Sequence, residues 1–251
     1  MPAPFLWLIY SLRMCKIGKV MKVLIIIPAY NEQDNIVSTV TELQQVCPQY
    51  DYVVINDGSS DRTSRICKEH GFHLISLPLN LGLSGAFRTG MKFAYRNGYD
   101  CAVQFDADGQ HDPRYLPAMV EQMNKTGADI VIGSRYLEHK KGPGMRSAGN
   151  SLISFFIRLT TGKKICDSTS GFRLYGRRLL AWFAKYINFE PEPDTIAFLI
   201  RCGAKVEEVQ VQMRPRKAGE SYFHFSSIVA YMTRICSSIL FMQWVRKKEE
   251  L

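Results

Sequence analysis

Between residues 22 and 134, short runs of apolar, β-branched residues alternate with stretches whose apolar positions recur at helical spacing. Val23–Ile27, Tyr52–Ile55, Phe72–Leu77, Cys101–Phe105 and Asp129–Ile132 read as strands, with helices at roughly 35–46, 62–70, 84–96 and 114–125. The strands are continuously apolar, as strands buried on both faces are. The expected fold is therefore α/β: a mostly parallel, Rossmann-like sheet with helices on both faces. Ligands of such sheets bind outside the carboxyl ends of the strands. The polar runs Pro28-Ala29-Tyr30-Asn31, Asp57-Gly58-Ser59-Ser60-Asp61 and Asp106-Ala107-Asp108-Gly109 all follow strands, so one crevice is expected to collect them.

Past residue 135 the alternation weakens. The pattern predicts helices near 147–160, 176–186 and 193–202, a loop at 163–171 and a strand near 205–212, an extension of the same domain. From Phe225 to Val245 only Arg234 is charged, and apolar residues at 225, 228, 229, 232, 235, 239, 240 and 242 keep helical spacing. The intervening serines and threonines make this segment too polar to span a bilayer. A C-terminal amphipathic helix is expected, lying on a membrane interface or membrane partner, or else closing the core.

The 251 residues are 46% hydrophobic and 22% charged, which excludes a disordered chain and provides ample core. The net charge of +9 is localised. Residues 1–134 carry 12 basic and 13 acidic side chains, 135–185 carry 11 and 2, and 186–251 carry 9 and 8. One stretch of about fifty residues thus holds the excess and is suited to phosphates, nucleic acid or an anionic membrane surface. The seven cysteines never form Cys-x-x-Cys, which argues against a zinc cluster or a disulfide framework and suits a reducing compartment.

Asp106 and Asp108, one residue apart on a turn leaving an apolar strand, can converge on a hard divalent cation, Mg2+ or Mn2+, that keeps positions open for phosphate oxygens. Asp57 stands where a carboxylate can accept hydrogen bonds from a base or ribose, while Ser60 or Asp61 can cap the following helix. A proline follows the first strand in place of a glycine-rich turn, so a dinucleotide fold is disfavoured. Gly82-Leu83-Ser84-Gly85 lacks the Gly-Lys-Ser/Thr of a P-loop.

The segments IIIPAYNE, VVINDGSSDRT, NLGLSGAFRTG, VQFDADGQHDP, IGSRY, DSTSGFRLY and VEEVQVQMRPRKAGES occur in that order over about 200 residues. Together they closely resemble glycosyltransferase family 2, within it the dolichyl- or polyprenyl-phosphate sugar synthases. The resemblance implies a GT-A fold and inverting, metal-dependent transfer from a UDP- or GDP-sugar to a polyprenyl (undecaprenyl or dolichyl) phosphate, for cell-envelope glycan assembly. It implies that Pro28, Ala29, Tyr30, Glu32, Asp57, Gly85, Asp106, Ala107 and Asp108 border the nucleotide sugar, and that Asp106, Asp108 and Gln110 hold the metal. Arg135, Arg146 and Arg216 resemble the arginines that hold donor and acceptor phosphates, and Asp167 an acidic position assisting near the acceptor. For Arg173 a structural ion pair, and for His111 capping or packing, are equal alternatives. The sequence departs from the family at Asn56, where an aspartate is usual, and at Leu83–Ser84, where a basic residue is lost. The sugar and nucleotide are left open by these departures.

The expected division is an N-terminal extension (1–20) without assigned function, a catalytic domain (21–222) and a membrane-facing amphipathic tail (223–251). A lipid phosphate, with its second pKa near ~6, arrives largely ionised and needs alignment and charge compensation more than a base. The basic stretch 135–185 would supply that compensation and also favour the anionic leaflet. The runner-up is transfer to a saccharide hydroxyl, which requires a carboxylate base, Asp167, Glu190 or Asp112. A nucleic-acid binder is the remote alternative and leaves the Asp106–Asp108 turn idle. Expected partners are the donor, the lipid acceptor and a membrane surface or small membrane protein, with no nucleic acid and with a homo-oligomer left open. The expected location is cytoplasmic, peripheral on the inner face of the membrane.

Overall fold

The structure, a computed structural model, describes residues 21–138, 144–186, 189–215, 225–242 and 245–246. Residues 1–20 and Arg216 lie outside the described residues, as does the side chain of Arg146. Strands β1 (Val23–Ala29), β2 (Asp51–Asn56), β3 (Leu74–Ser76) and β4 (Cys101–Gln104) alternate with helices α1 (Ile36–Val46), α2 (Thr63–Glu69) and α3 (Gly82–Arg96). A short 3-10 turn (Pro113–Tyr115) leads into α4 (Leu116–Thr126), followed by β5 (Ile130–Ser134) and α5 (Met145–Thr161). Then come β6 (Arg173–Gly176), α6 (Arg177–Lys185), α7 (Pro193–Arg201), β7 (Val206–Gln210) and α8 (Phe225–Ser237), which runs into a π-helical turn at Ser238–Met242.

The strands form one seven-stranded sheet in the order β3-β2-β1-β4-β6-β5-β7. All neighbours are parallel except β6, which runs antiparallel to both β4 and β5. This is the mostly parallel α/β sheet expected. Both faces are covered, which is why the strands read as unbroken apolar runs. On β1 the side chains divide by period two: Val23, Ile25 and Ile27 pack with Ile36, Val40 and Leu43 of α1, while Leu24 and Ile26 pack on the opposite side with Phe87 and Met91 of α3. Helix α3 approaches β1 so closely at Gly90 that a Cβ there would stand 2.3 Å from Ile26 Cγ2.

Two sequence expectations change. The strand expected at 72–77 is only three residues long. The strand β6 was not foreseen, although the loop before it was. The C-terminal helix forms, and it closes the core: Ile235 and Ile239 are fully buried in the cluster that holds α3, α6 and α7. Among the described residues no helix is long and apolar enough to cross a membrane.

Candidate active site

Strands β2, β1 and β4 are parallel neighbours, so the loops leaving them meet at one edge. The loop after β1 and the loop after β2 are zipped together. Asn31 adopts a left-handed backbone (φ 56°), a conformation asparagine tolerates, and its Oδ1 accepts from Ser60 N–H (2.9 Å) and more distantly from Asp61 N–H (3.3 Å). Glu32 N–H donates to Thr63 Oγ1 (2.9 Å) and Gln33 N–H to Asp61 Oδ2 (3.1 Å). Asp57, almost fully buried, donates its N–H to Ala29 O (2.9 Å) and accepts from Leu81 N–H (2.8 Å). Gly58 (φ 64°) packs against residues 79–80, where a Cβ would lie 2.7 Å from Asn80 N. Tyr30 stands 45% exposed over this cradle.

Pro28, Ala29, Tyr30, Glu32 and Asp57 are therefore brought together as expected. Gly85 is buried in α3, where a Cβ would meet Leu81 Cβ at 2.3 Å. Its part is to seat Leu81, whose backbone holds Asp57.

After β4 the chain turns through Asp106, Ala107 and Asp108. Thr39 Oγ1 of α1 donates to Ala107 O (2.9 Å), and Gln110 N–H donates to Asp108 Oδ1 (3.0 Å). Asp106 is oriented from two sides. Gln104 Nε2 donates to its Oδ1 (3.1 Å), and the buried His111 lies with Nε2 3.6 Å from its Oδ2. His111 Nδ1 accepts the Asp106 backbone N–H (3.0 Å), which fixes the tautomer with its proton on Nε2, facing the carboxylate. Phe172 stacks on the imidazole (4.6 Å between centroids, 16°). His111 is thus a positioning residue as well as a packed one.

The Asp106 side chain remains 36% exposed, and its oxygens keep lone pairs beyond the bonds described. Among the described residues no three His, Cys, Asp or Glu side chains form a metal cage. The Asp106 and Asp108 carboxylates and the Gln110 amide are hard oxygen donors of the kind that Mg2+ or Mn2+ takes.

Strand β6 brings the third element. Because it runs antiparallel, the loop before it arrives at the same edge, and Gly171 lies beside Asp106, its Cβ position 3.5 Å from Oδ2. Four residues earlier Asp167, with no exposed surface, grips Arg135: Arg135 Nε to Oδ2 2.7 Å, Nη2 to Oδ1 2.8 Å and the Arg135 N–H to Oδ2 2.9 Å. Arg135 Nη2 also donates to Thr169 Oγ1 (3.0 Å). Burial works against the Arg135 charge, and the Asp167 carboxylate more than offsets it, raising the guanidinium above its ordinary value. Glu208 caps the loop by accepting from the Cys166 and Asp167 N–H groups (2.8 and 2.9 Å). Asp167, sealed and fully bonded, holds Arg135 in place. Arg173, for which a structural ion pair was one of two equal alternatives, is buried and donates to Ser168 O (2.9 Å) and Pro191 O (2.7 Å).

Sequence reasoning missed Arg214. It bridges Glu42 (2.6 Å) and Asp112 (3.0 Å), while its N–H donates to Gln110 O (3.0 Å). The Arg-Pro-Arg run beside Arg216 was the signal for it. Of the three carboxylates considered as bases, Asp112 is buried and bound by Arg114 and Arg214. Glu190 alone is half exposed, 3.7 Å from Arg234.

The glycosyl transferase family 2 model matches residues 24–182. The chain is 32% identical over 215 residues to the undecaprenyl-phosphate mannosyltransferase of Micrococcus luteus, covering 80% of this chain and 87% of that one. It is 31% identical over 229 residues to the polyprenol monophosphomannose synthase of Mycolicibacterium smegmatis, covering 85% of each. In fold it is similar to glucosyl-3-phosphoglycerate synthase from Mycobacterium tuberculosis, solved with Mn2+, uridine diphosphate and phosphoglyceric acid, at a TM-score of 0.66 and 16% identity over 91% of this chain and 80% of that one. With the family model matched over more than half of it, the chain belongs to glycosyltransferase family 2 and is a glycosyltransferase.

Proposed function

We propose that this glycosyltransferase moves a sugar from a nucleotide-diphosphate sugar to a polyprenyl phosphate, with inversion, at a membrane surface. The observation that carries the reading is the loop before β6, which clasps Arg135 through Asp167 and, four residues on, sets Gly171 against Asp106. In this reading a diphosphate site and a guanidinium share one edge, and Asp167 and Asp112, two of the carboxylates considered as bases, are buried and bound to arginines. An ionised phosphate nucleophile is served by that arrangement, since it brings its own negative charge and needs no proton removed. The acceptors named for the two curated relatives are of the same class.

In this reading the zipped loops after β1 and β2 hold the nucleoside, with Asp57 facing its base or ribose. Asp106, Asp108 and Gln110 would hold Mg2+ or Mn2+, which when bound offsets the charge of the departing nucleoside diphosphate. Gln104 and His111 keep the Asp106 carboxylate aimed at that place. Arg135 spends Nε and Nη2 on Asp167 and Thr169, and the Nη1 side of its fork is offered to an acceptor phosphate oxygen. Arg214 ties the Gln110 turn to α1. Inversion follows from a single displacement, the acceptor oxygen attacking opposite the leaving diphosphate.

The test is sugar transfer in detergent or membranes with a panel of UDP- and GDP-sugars, undecaprenyl phosphate or a saccharide acceptor, and Mn2+ or Mg2+. A lipid-phosphate sugar formed by the wild type and not by Asp108→Asn is expected. A product formed only on the saccharide overturns the reading and points to Glu190, the exposed carboxylate, as base.

A further inference from the structure

Helix α5 has two unlike sides. Its inner side buries Ile153 and Ile157 in the core and fastens the acceptor loop. Asn150 Nδ2 donates to Cys166 O (2.9 Å), Ser168 Oγ donates to Asn150 Oδ1 (3.2 Å), and the Ser154 and Ser168 hydroxyls lie 3.3 Å apart. Its outer side carries Leu152, Phe155 and Leu159, which are 46%, 58% and 64% exposed. These positions, three and four residues apart, form one stripe. Single exposed leucines are ordinary; three large apolar side chains in a row on one helix mark a contact surface.

The surroundings say what the contact is. Between Glu138 and Asp167 there is no acidic residue, and the same segment carries Lys140, Lys141, Arg146, Arg158, Lys163 and Lys164. Arg158 and Lys164 are exposed beside the stripe, and Lys163 reaches only a distant Glu207 (3.8 Å). An apolar stripe within an all-cationic segment is complementary to an anionic lipid surface, where side chains enter the acyl boundary and the cations meet headgroups.

Helix α8, the other amphipathic candidate, spends its charge inward. Arg234 pairs with Glu190 and Glu192, Tyr231 OH donates to Glu192 Oε2 (2.6 Å), and Ser238 Oγ donates to Asp194 Oδ2 (2.6 Å).

We infer that the outer face of α5 is the surface by which the protein lies on an anionic membrane. The same helix grips the loop that holds Asp167, so docking sets the Arg135 clasp at headgroup height, where the phosphate of an embedded lipid sits. This last point rests on the proposed acceptor; the docking itself does not.

The experiment uses the full chain with phosphatidylcholine vesicles, with and without phosphatidylglycerol, in a sedimentation assay. The variants are Phe155→Asp/Leu159→Asp, Arg158→Glu/Lys164→Glu and, on the other candidate surface, Phe241→Asp. Near-ultraviolet circular dichroism and transfer to a short-chain, water-soluble polyprenyl phosphate report on folding and chemistry. Both α5 variants are expected to lose about tenfold or more in partition onto anionic vesicles, the charge-reversed one regaining binding least at low salt, while Phe241→Asp binds as wild type. Binding that survives the α5 changes and falls with Phe241→Asp overturns the inference in favour of the tail. So does a wild type that ignores vesicles, or a lipid-free dimer that Phe155→Asp/Leu159→Asp dissociates, which would make α5 a contact between copies. If vesicle binding follows α5 but the short-chain lipid phosphate accepts no sugar from any donor, the docking stands and the acceptor reading falls.

Discussion

The site is made of two regions built on different physics. The region before residue 135 is nearly neutral, at −1, and works by backbone geometry: parallel strands, loops zipped by Asn31, Asp61 and Thr63, and a glycine at 58 that no other residue can replace without displacing Asn80. The region from 135 to 185 carries the +9 excess, and its order at the site comes from charge, with Asp167 buried against Arg135. A nucleotide has a fixed shape that a rigid backbone cradle can copy. In the proposed function the second region meets a phosphate on a flexible lipid, which has mainly charge to recognise and is suited to a clasped guanidinium. The two regions should therefore fail in different ways when disturbed.

The largest effect is expected at the junction between them. Asp108→Asn should lower transfer by about 10²–10³-fold with little change in unfolding midpoint, since it removes charge compensation and leaves packing alone. Denaturant titration and a transfer assay together check this. In the charged region, Asp167→Ala leaves Arg135 without its partner in a closed site. A loss of about 3–5 kcal/mol in unfolding free energy is expected, with the acceptor KM raised and the donor KM unchanged. Equal changes in both KM values would erase the contrast.

His111→Phe keeps the stack on Phe172 and removes both contacts to Asp106. Mn2+ affinity, measured by calorimetry in the presence of nucleoside diphosphate, should weaken by about 10–100-fold while stability stays close to wild type. In the geometric region, Gly58→Ala combines positive φ with a 2.7 Å clash. It should cost about 1–3 kcal/mol and raise only the donor KM.

The smallest effect is one of pH. Hydrogen bonds from Arg114 hold the Asp112 carboxyl at about 2, below its ordinary 3.8, against burial, which works the other way, and with further help from Arg214. A depressed carboxyl contributes its stability above the unfolded value and loses it as pH falls through the folded one. Unfolding free energy should therefore decline between about pH 4 and pH 2 from this group, and Asp112→Asn should flatten that part of the profile.

Much of the first region was legible because its strands are unbroken apolar runs and its loops are turn chemistry read locally. Asn31, Asp61 and Thr63 escaped notice as a zipper because their bonds join residues nearly thirty positions apart. Strand β6 was hidden for a different reason. Arg173-Leu174-Tyr175-Gly176 has no apolar alternation, begins with a buried cation, and becomes a strand only between β4 and β5. The Nη1 and Nη2 of its arginine are held by the carbonyls of Pro191 and Ser168, contacts that no local pattern announces. The same holds for Asp167, whose burial against Arg135 no local pattern announces. The role of His111 needed the stack on Phe172 and the Asp106 N–H bond, both products of the turn's three-dimensional path.

Strand β6 also governs the order in which the protein can be completed. It fills the slot between β4 and β5, yet it emerges some forty residues after β5. Until it arrives, a nascent chain carries two open strand edges at the centre of its future sheet, each a template for pairing with another chain. Ribosome-stalled chains ending before Arg173 should therefore be sticky and protease-sensitive, and those extended past Gly176 should not. A protein of this design matures by inserting its keystone late, so translation speed across residues 135–176 becomes a determinant of yield.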